Sequence, residues 1–244
     1  LSRCHSDIHQ FGNFHNIPLD LTHTEFEQPR WAYGSMGYAG KNWGVNFVLG
    51  KEGLRHGNSI LGSVCYNDTF ETDFYSQLNL YTERFKYSMD ITEVDINRFL
   101  YLHQIEFKPY FKNLKISCIE GNLVNAPFEL RFLNPLMIMH SFAGWLSYIT
   151  EEEKNWYGEE AHFCAYLCFL VEYNPIKNLR TYFNFSQTEI QWPWEQSSIP
   201  NGMGFQLGAD YRWNGFYDGY WILSGEAVYT NPWLYVKNGA EWSL

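Results

Sequence analysis

The chain of 244 residues is short of charge, and the charge it has is unevenly signed. Charged residues make up 18%, below the roughly 25% of an average soluble chain. Lys and Arg number 17 against 27 Asp and Glu, a net charge of −10. No run of basic residues occurs. An acidic chain without clustered Lys and Arg cannot neutralise phosphates, so DNA and RNA are excluded as partners. There is no C-x-x-C among the five cysteines, which argues against a structural zinc site or a dense disulfide framework. Cys164 and Cys168 are four apart, so in a strand they share one face without bridging; free thiols are expected. No H-E-x-x-H, H-x-H, G-x-S-x-G or dinucleotide fingerprint is present. His5 and His9 have helix-face spacing, but nothing there supports a helix, so no metal and no cofactor are expected. No stretch of 18 apolar residues exists, which rules out helical membrane spans.

Aromatic residues, by contrast, are abundant: 10 Trp, 18 Tyr and 19 Phe, or 19% of the chain. Yet the mean hydropathy is −0.36. Chains that turn one strand face to lipid and the other to water combine these properties.

The dominant period is two. Met203, Phe205, Leu207, Ala209, Tyr211 and Trp213 fall on one face of a strand, and Gly204, Gln206, Gly208, Asp210 and Arg212 on the other. The same alternation marks residues 43–50, 84–91, 113–118, 179–186 and 221–229. These runs are long for a sandwich, whose strands average about 5–6 residues, and match the roughly 9–11 residues a tilted strand needs to cross a bilayer. Gly40-Lys41-Asn42, Asn174-Pro175, Asn214-Gly215 and Asp218-Gly219 mark turns between them. The links 150–158 and 193–202 are longer and polar, and are expected on one rim. About a dozen strands and no long helix are predicted. Trp31, Trp43, Trp213, Trp221 and Trp233 sit near strand ends, as an interfacial girdle requires. A charge on the lipid face costs roughly 2–4 kcal/mol at mid-bilayer, so Lys86, Arg180 and Arg212 are expected on the inner face. The predicted fold is all-β, a single antiparallel transmembrane β-barrel domain over residues 1–244, either closed or part of a larger barrel.

Five segments carry a family resemblance. They are Gly50-Lys51 to Gly57 with Leu61-Gly62-Ser63; Asp73-Phe74 leading into Phe85-Lys86-Tyr87; Phe128 to Leu136 (Phe-Glu-Leu-Arg-Phe-Leu-Asn-Pro-Leu) ending at His140-Ser141; Gly204 to Ala209; and Gly225 to Pro232. In this order, over roughly residues 45–236, the chain resembles the Wzi-like family of outer-membrane capsule-assembly proteins. The resemblance implies a non-catalytic β-barrel of the bacterial outer membrane that binds, anchors or organises a surface polysaccharide, with that polysaccharide and the lipid bilayer as its partners. The family barrel is larger and carries a helical plug that is not legible here. Ser63-Val64-Cys65-Tyr66 stands where the family has a more aliphatic run, which bears on whether the ligand is shared.

Candidate ligand contacts follow from residue type. Lys51, Arg55 and His56, on a glycine-rich stretch, could meet acidic sugars in a lumen; their alternative role is to balance lumen carboxylates. Glu129 and Arg131 would share a strand face, with Asn134 and His140 following across Pro135, either as sugar contacts or as a ladder holding a bend. Trp192 and Trp194 could stack on sugar rings or anchor at the membrane interface. Gln206 and Arg212 lie on the polar face of the 203–213 strand. Glu120, Glu172, Glu195, Asp210 and Glu226 admit a glycosidase reading, but pairing with arginines across neighbouring strands is the simpler expectation. A general porin and a soluble β-sandwich that binds or processes glycans are the competing functions.

Overall fold

A computed structural model describes residues 32–51, 55–57, 59–60, 62–67, 74–110, 113–134, 163–189, 201–215 and 219–234. Among these residues twelve strands form: β1 (Ala32–Ala39), β2 (Trp43–Lys51), β3 (Arg55–His56), β4 (Tyr66–Asn67), β5 (Phe74–Thr82), β6 (Phe85–Asp95), β7 (Arg98–Phe107), β8 (Leu114–Val124), β9 (Phe163–Ile176), β10 (Leu179–Glu189), β11 (Gly202–Asn214) and β12 (Tyr220–Thr230). Ten of them make one sheet in the order β1-β2-β5-β6-β7-β8-β9-β10-β11-β12, while β3 and β4 pair separately. Every pairing is antiparallel. The sheet is thus a meander in which each strand pairs with the next along the chain, apart from the β3–β4 excursion. No α-helix occurs among the described residues; a 3-10 turn spans Leu130–Leu133. None of the described helices is long and apolar enough to cross a membrane.

The sequence left closure open, and among the described residues the sheet is not closed. β1 and β12 are the two edges of the sheet and do not pair with each other. All-β antiparallel architecture and strand length agree with the expectation; closure is absent among the described residues.

The register sorts side chains into two faces. On one face β2 carries Val45, Phe47 and Leu49, and β11 carries Phe205, Leu207, Tyr211 and Trp213. Phe47, Leu49, Phe205, Leu207, Tyr211 and Trp213 are exposed. On the other face lie Asn79, Ser88, Asp90, Asn184 and Gln206, all buried. At these positions polar side chains are covered and apolar ones exposed, the reverse of a soluble domain.

Strand direction separates two rims. The links 40–42, 83–84, 108–113, 177–178 and 215–219 lie at one rim. The links 52–73, 125–162 and 190–201 all leave from the other, which also has the tight 96–97 turn. The links 150–158 and 193–202, expected on one rim, lie outside the described residues except for 201 and 202; the strand ends that flank them are at this rim. At the short-turn rim Trp43, Phe85, Phe107, Tyr173, Trp213 and Trp221 form an exposed aromatic row on the outer face. Trp233 follows β12 at the opposite rim, and Trp31 lies outside the described residues.

The described residues between 55 and 66 fold back onto the polar face. Val64 and Cys65 pack on Leu100, Leu102, Ile119, Leu123, Tyr166, Cys168 and Leu170. The segment touches β6 and β7 at His56 and reaches β11 and β12 at Ile60 to Val64. So short a stretch can meet both groups of strands only if the polar face is concave. Gly57 and Gly62, with φ of 103° and 145°, supply backbone conformations that L side chains rarely adopt. On the outer face a second cluster joins Tyr101 and Val124 to Ala126 and Phe132. The 125–134 stretch covers that part of the sheet from outside.

Candidate functional site

The concave face carries a belt of alternating charge across six successive strands. Lys86 (β6) lies opposite Glu106 (β7) in register. Lys115 (β8) places its Nζ 3.9 Å from Glu106 and 3.5 Å from Glu172 (β9). Arg180 (β10) lies 3.9 Å from Glu172 and donates through Nε at 2.7 Å to Asp210 (β11). Oppositely charged side chains on one face of adjacent strands attract; like charges there would repel. The sequence expectation that Glu172 and Asp210 pair with arginine across strands is thus met in the geometry.

Beside the belt runs a ladder of amides and hydroxyls. Asn79 donates to Gln77 Oε1 at 2.7 Å, and Ser88 donates to Asn79 Oδ1 at 2.7 Å. Asn184 donates to Gln206 Oε1 at 2.8 Å. A cavity of about 200 Å³ lies between belt and ladder, lined by Gln104, Glu106, Lys115, Glu172, Tyr182 and Asn184 and roofed by His56 and Gly57. A wider hollow of about 770 Å³ opens at the short-turn rim, lined by Asn113, Asn174, Asn178, Arg180, Asp210 and Arg212, among others.

Three glycines of this face each receive a tyrosine ring from the strand opposite. Gly44 pairs with Tyr81, Gly121 with Tyr166 and Gly208 with Tyr182. A Cβ on these glycines would lie 2.4, 2.1 and 2.2 Å from the ring atoms. The rings lie flat across their partners, which keeps bulky tyrosines from filling the concavity. Tyr182 also donates its hydroxyl to Glu226 on β12.

The inward segment is pinned at four points. His56 Nδ1 is 2.9 Å from Gln104 Oε1, and its Nε2 is 2.9 Å from Asp90 Oδ2. The Ile60 amide donates to Glu226 at 2.8 Å. Gln206 Nε2 donates to the Gly62 carbonyl at 2.6 Å, and the Val64 amide donates to Gln206 Oε1 at 3.3 Å.

The sequence-predicted contacts divide accordingly. Lys51 does not join His56: it continues the Val45–Phe47–Leu49 row on the outer face, with its Nζ 5.5 Å from the Phe74 ring centre. The lumen cluster of Lys51, Arg55 and His56 is therefore corrected to His56 on the concave side, beside Arg55 in β3. His56 and Gln206 are almost completely buried and hold the inward segment. Glu129, Arg131 and Asn134 do not form a strand ladder facing the concavity. Arg131 lies in the 3-10 turn, and the Glu129 amide donates to Tyr101 on the outer face at 3.0 Å. Pro127 ends the pairing just before them. Arg212 does belong to the concave row, at the rim, its guanidinium 4.0 Å from the Tyr220 ring centre. Lys86 and Arg180 face the concavity as expected. His140, Trp192, Trp194, Glu195, His5 and His9 lie outside the described residues. Glu120 is buried on the outer face beneath the 125–134 region, opposite His103. Cys65, Cys118 and Cys168 are free thiols. Among the described residues no group of three or more His, Cys, Asp or Glu could hold a metal.

The contacts missed by sequence reading are the belt partners Glu106 and Lys115 and the ring-seating glycines. Their signal was available as alternation parity within each strand, but the register between strands was not.

Compared with known proteins, the chain matches no family model, no curated protein and no solved structure.

Proposed function

We propose that the chain forms the wall of a bacterial outer-membrane β-barrel whose concave, water-facing side binds a surface polysaccharide without chemical turnover. The observation that carries this reading is the inversion of faces. Charge, amides and glycines line the concave side around the apolar patch under Val64 and Cys65, while aromatic and aliphatic side chains stand exposed along the convex side. In water a contiguous apolar face of this extent drives aggregation; in a bilayer it is the solvated surface. The short-turn and long-link rims add the asymmetry of outer-membrane barrels, in which short turns face the periplasm and long loops the exterior. The polysaccharide part draws on the family resemblance and on the mix of amides and tyrosines around the inner cavity, groups suited to hydroxyl-rich ligands.

The inward segment 55–66 favours one further reading, a solute channel narrowed by a loop lying across its lumen. Two measurements decide. After expression the chain should stay with the membrane fraction through high-salt washing and require detergent for extraction; a monodisperse protein in plain buffer would sink the membrane reading. Reconstituted into planar bilayers, a polysaccharide binder with this segment in place should give little steady current. A stable open-pore conductance would favour the channel.

A further inference from the structure

We infer that the cavity beneath the inward segment takes an uncharged sugar and discriminates against uronate or sulfated glycans. This deepens the polysaccharide reading above and rests on it.

The belt contributes three cations, Lys86, Lys115 and Arg180, and three carboxylates, Glu106, Glu172 and Asp210, in alternation. Lys115 and Arg180 each lie between two carboxylates. Neither offers an uncompensated positive charge to a ligand anion, and Lys86, also on the cavity wall, stands opposite the Glu106 carboxylate in register. Asp90 and Glu226 add negative charge to the same face, and His56, the further ionisable base at the cavity among the described side chains, is directed at Asp90. Lys51, which the sequence offered as an anion contact, stands on the opposite face. Arg212 and Lys177 belong to the rim hollow outside the cavity, so an anion drawn to them remains at the entrance. A carboxylate entering the cavity would lose hydration and gain no net attraction.

The uncharged polar groups point to what does fit. Gln104 spends its amide oxygen on His56, and Asn184 its amide nitrogen on Gln206. No hydrogen bond among the described residues takes up the Gln104 nitrogen, the Asn184 oxygen or the Ser117 hydroxyl, and all three residues line the cavity. A donor, an acceptor and a hydroxyl around some 200 Å³ beside the Tyr182 ring suit one pyranose unit with free hydroxyls.

The test uses the full chain in detergent and matched oligosaccharide pairs: gluco-, galacto- and manno-configured neutral chains, each against the uronate of the same linkage and length. At least one neutral chain should bind, with affinity changing less than about twofold between low and high salt, since no net charge is engaged. Its uronate counterpart should bind about tenfold more weakly or worse. Glu172→Gln leaves Lys115 and Arg180 each short of a partner, so it should shift the uronate-to-neutral affinity ratio roughly five- to tenfold towards the uronate, with uronate affinity itself rising. Misfolding cannot mimic that gain. A uronate that binds the native chain as tightly as its neutral match overturns the inference alone, as does a Glu172→Gln variant with an unchanged preference ratio. If no member of any pair binds, the polysaccharide reading fails and the inference falls with it.

Discussion

At the scale of single residues, the most exposed weakness of the structure is a buried charge. Asp90 is fully buried; among the described residues its carboxylate has no hydrogen bond, and His56 Nε2 lies 2.9 Å away. Removing one member of a buried pair strands the other, at a cost of about 3–5 kcal/mol. His56→Ala should therefore lower unfolding stability in detergent by that amount. Adding Asp90→Asn should restore much of the loss, giving a clear coupling energy in a double-mutant cycle. Simple additivity would show that the pair does not hold the segment. A second residue carries backbone strain. Asn178 closes the 177–178 turn with φ of 70°, a region that Asn tolerates better than other side chains. Asn178→Ala should cost about 1 kcal/mol, whereas Asn178→Gly should cost nearly nothing. Chemical denaturation of the two variants checks the order. Lys51 shows what parity alone could have told: counting by twos from Trp43 puts it in the apolar row, and the glycine-rich context drew attention away from that count.

At the scale of elements, legibility followed the number of wet faces. Strands with one polar and one apolar face, such as β11, were readable from alternation, with boundaries off by a residue. β7 was not, because Phe99-Leu100-Tyr101-Leu102 is apolar on both faces. The structure supplies the reason: Val64 and Cys65 cover Leu100 and Leu102 from inside, and Phe132 covers Tyr101 from outside. A strand buried on both sides loses its period. The 55–66 segment was equally hidden, since nothing local announces that a glycine-rich link turns inward; its partners Gln206 and Glu226 lie far along the chain. The glycine–tyrosine pairs also became visible only with the register. They carry a prediction of their own. Gly121→Ala sets a methyl 2.1 Å from the Tyr166 ring, which is almost fully buried in the inner cluster and has little room to yield. Overpacking of this kind costs roughly 1–3 kcal/mol. Gly225→Ala is the control, because nothing lies within 4 Å of its Cβ. Equal stability of the two variants would show that the ring seats do not matter.

At the scale of the whole molecule, the two faces make opposite claims about solvent, and one pair of substitutions separates them. Leu207 lies halfway along β11 on the convex face, exposed and flanked across the strands by Phe183 and Ala227. Ser224 lies on the concave row of β12, opposite Asp210. If lipid covers the convex face, Leu207→Arg places a charge in hydrocarbon and costs roughly 2–4 kcal/mol, while Ser224→Arg gains a carboxylate neighbour and costs little. If water covers it, the order reverses in kind: Leu207→Arg replaces an exposed apolar side chain with a soluble one and should be harmless or improve solubility. Folding of both variants into lipid vesicles, followed by heat-dependent gel mobility or tryptophan fluorescence, gives the answer directly. A Leu207→Arg variant that folds as well as the native chain would remove lipid from the convex face, whatever the composition and strand lengths suggest.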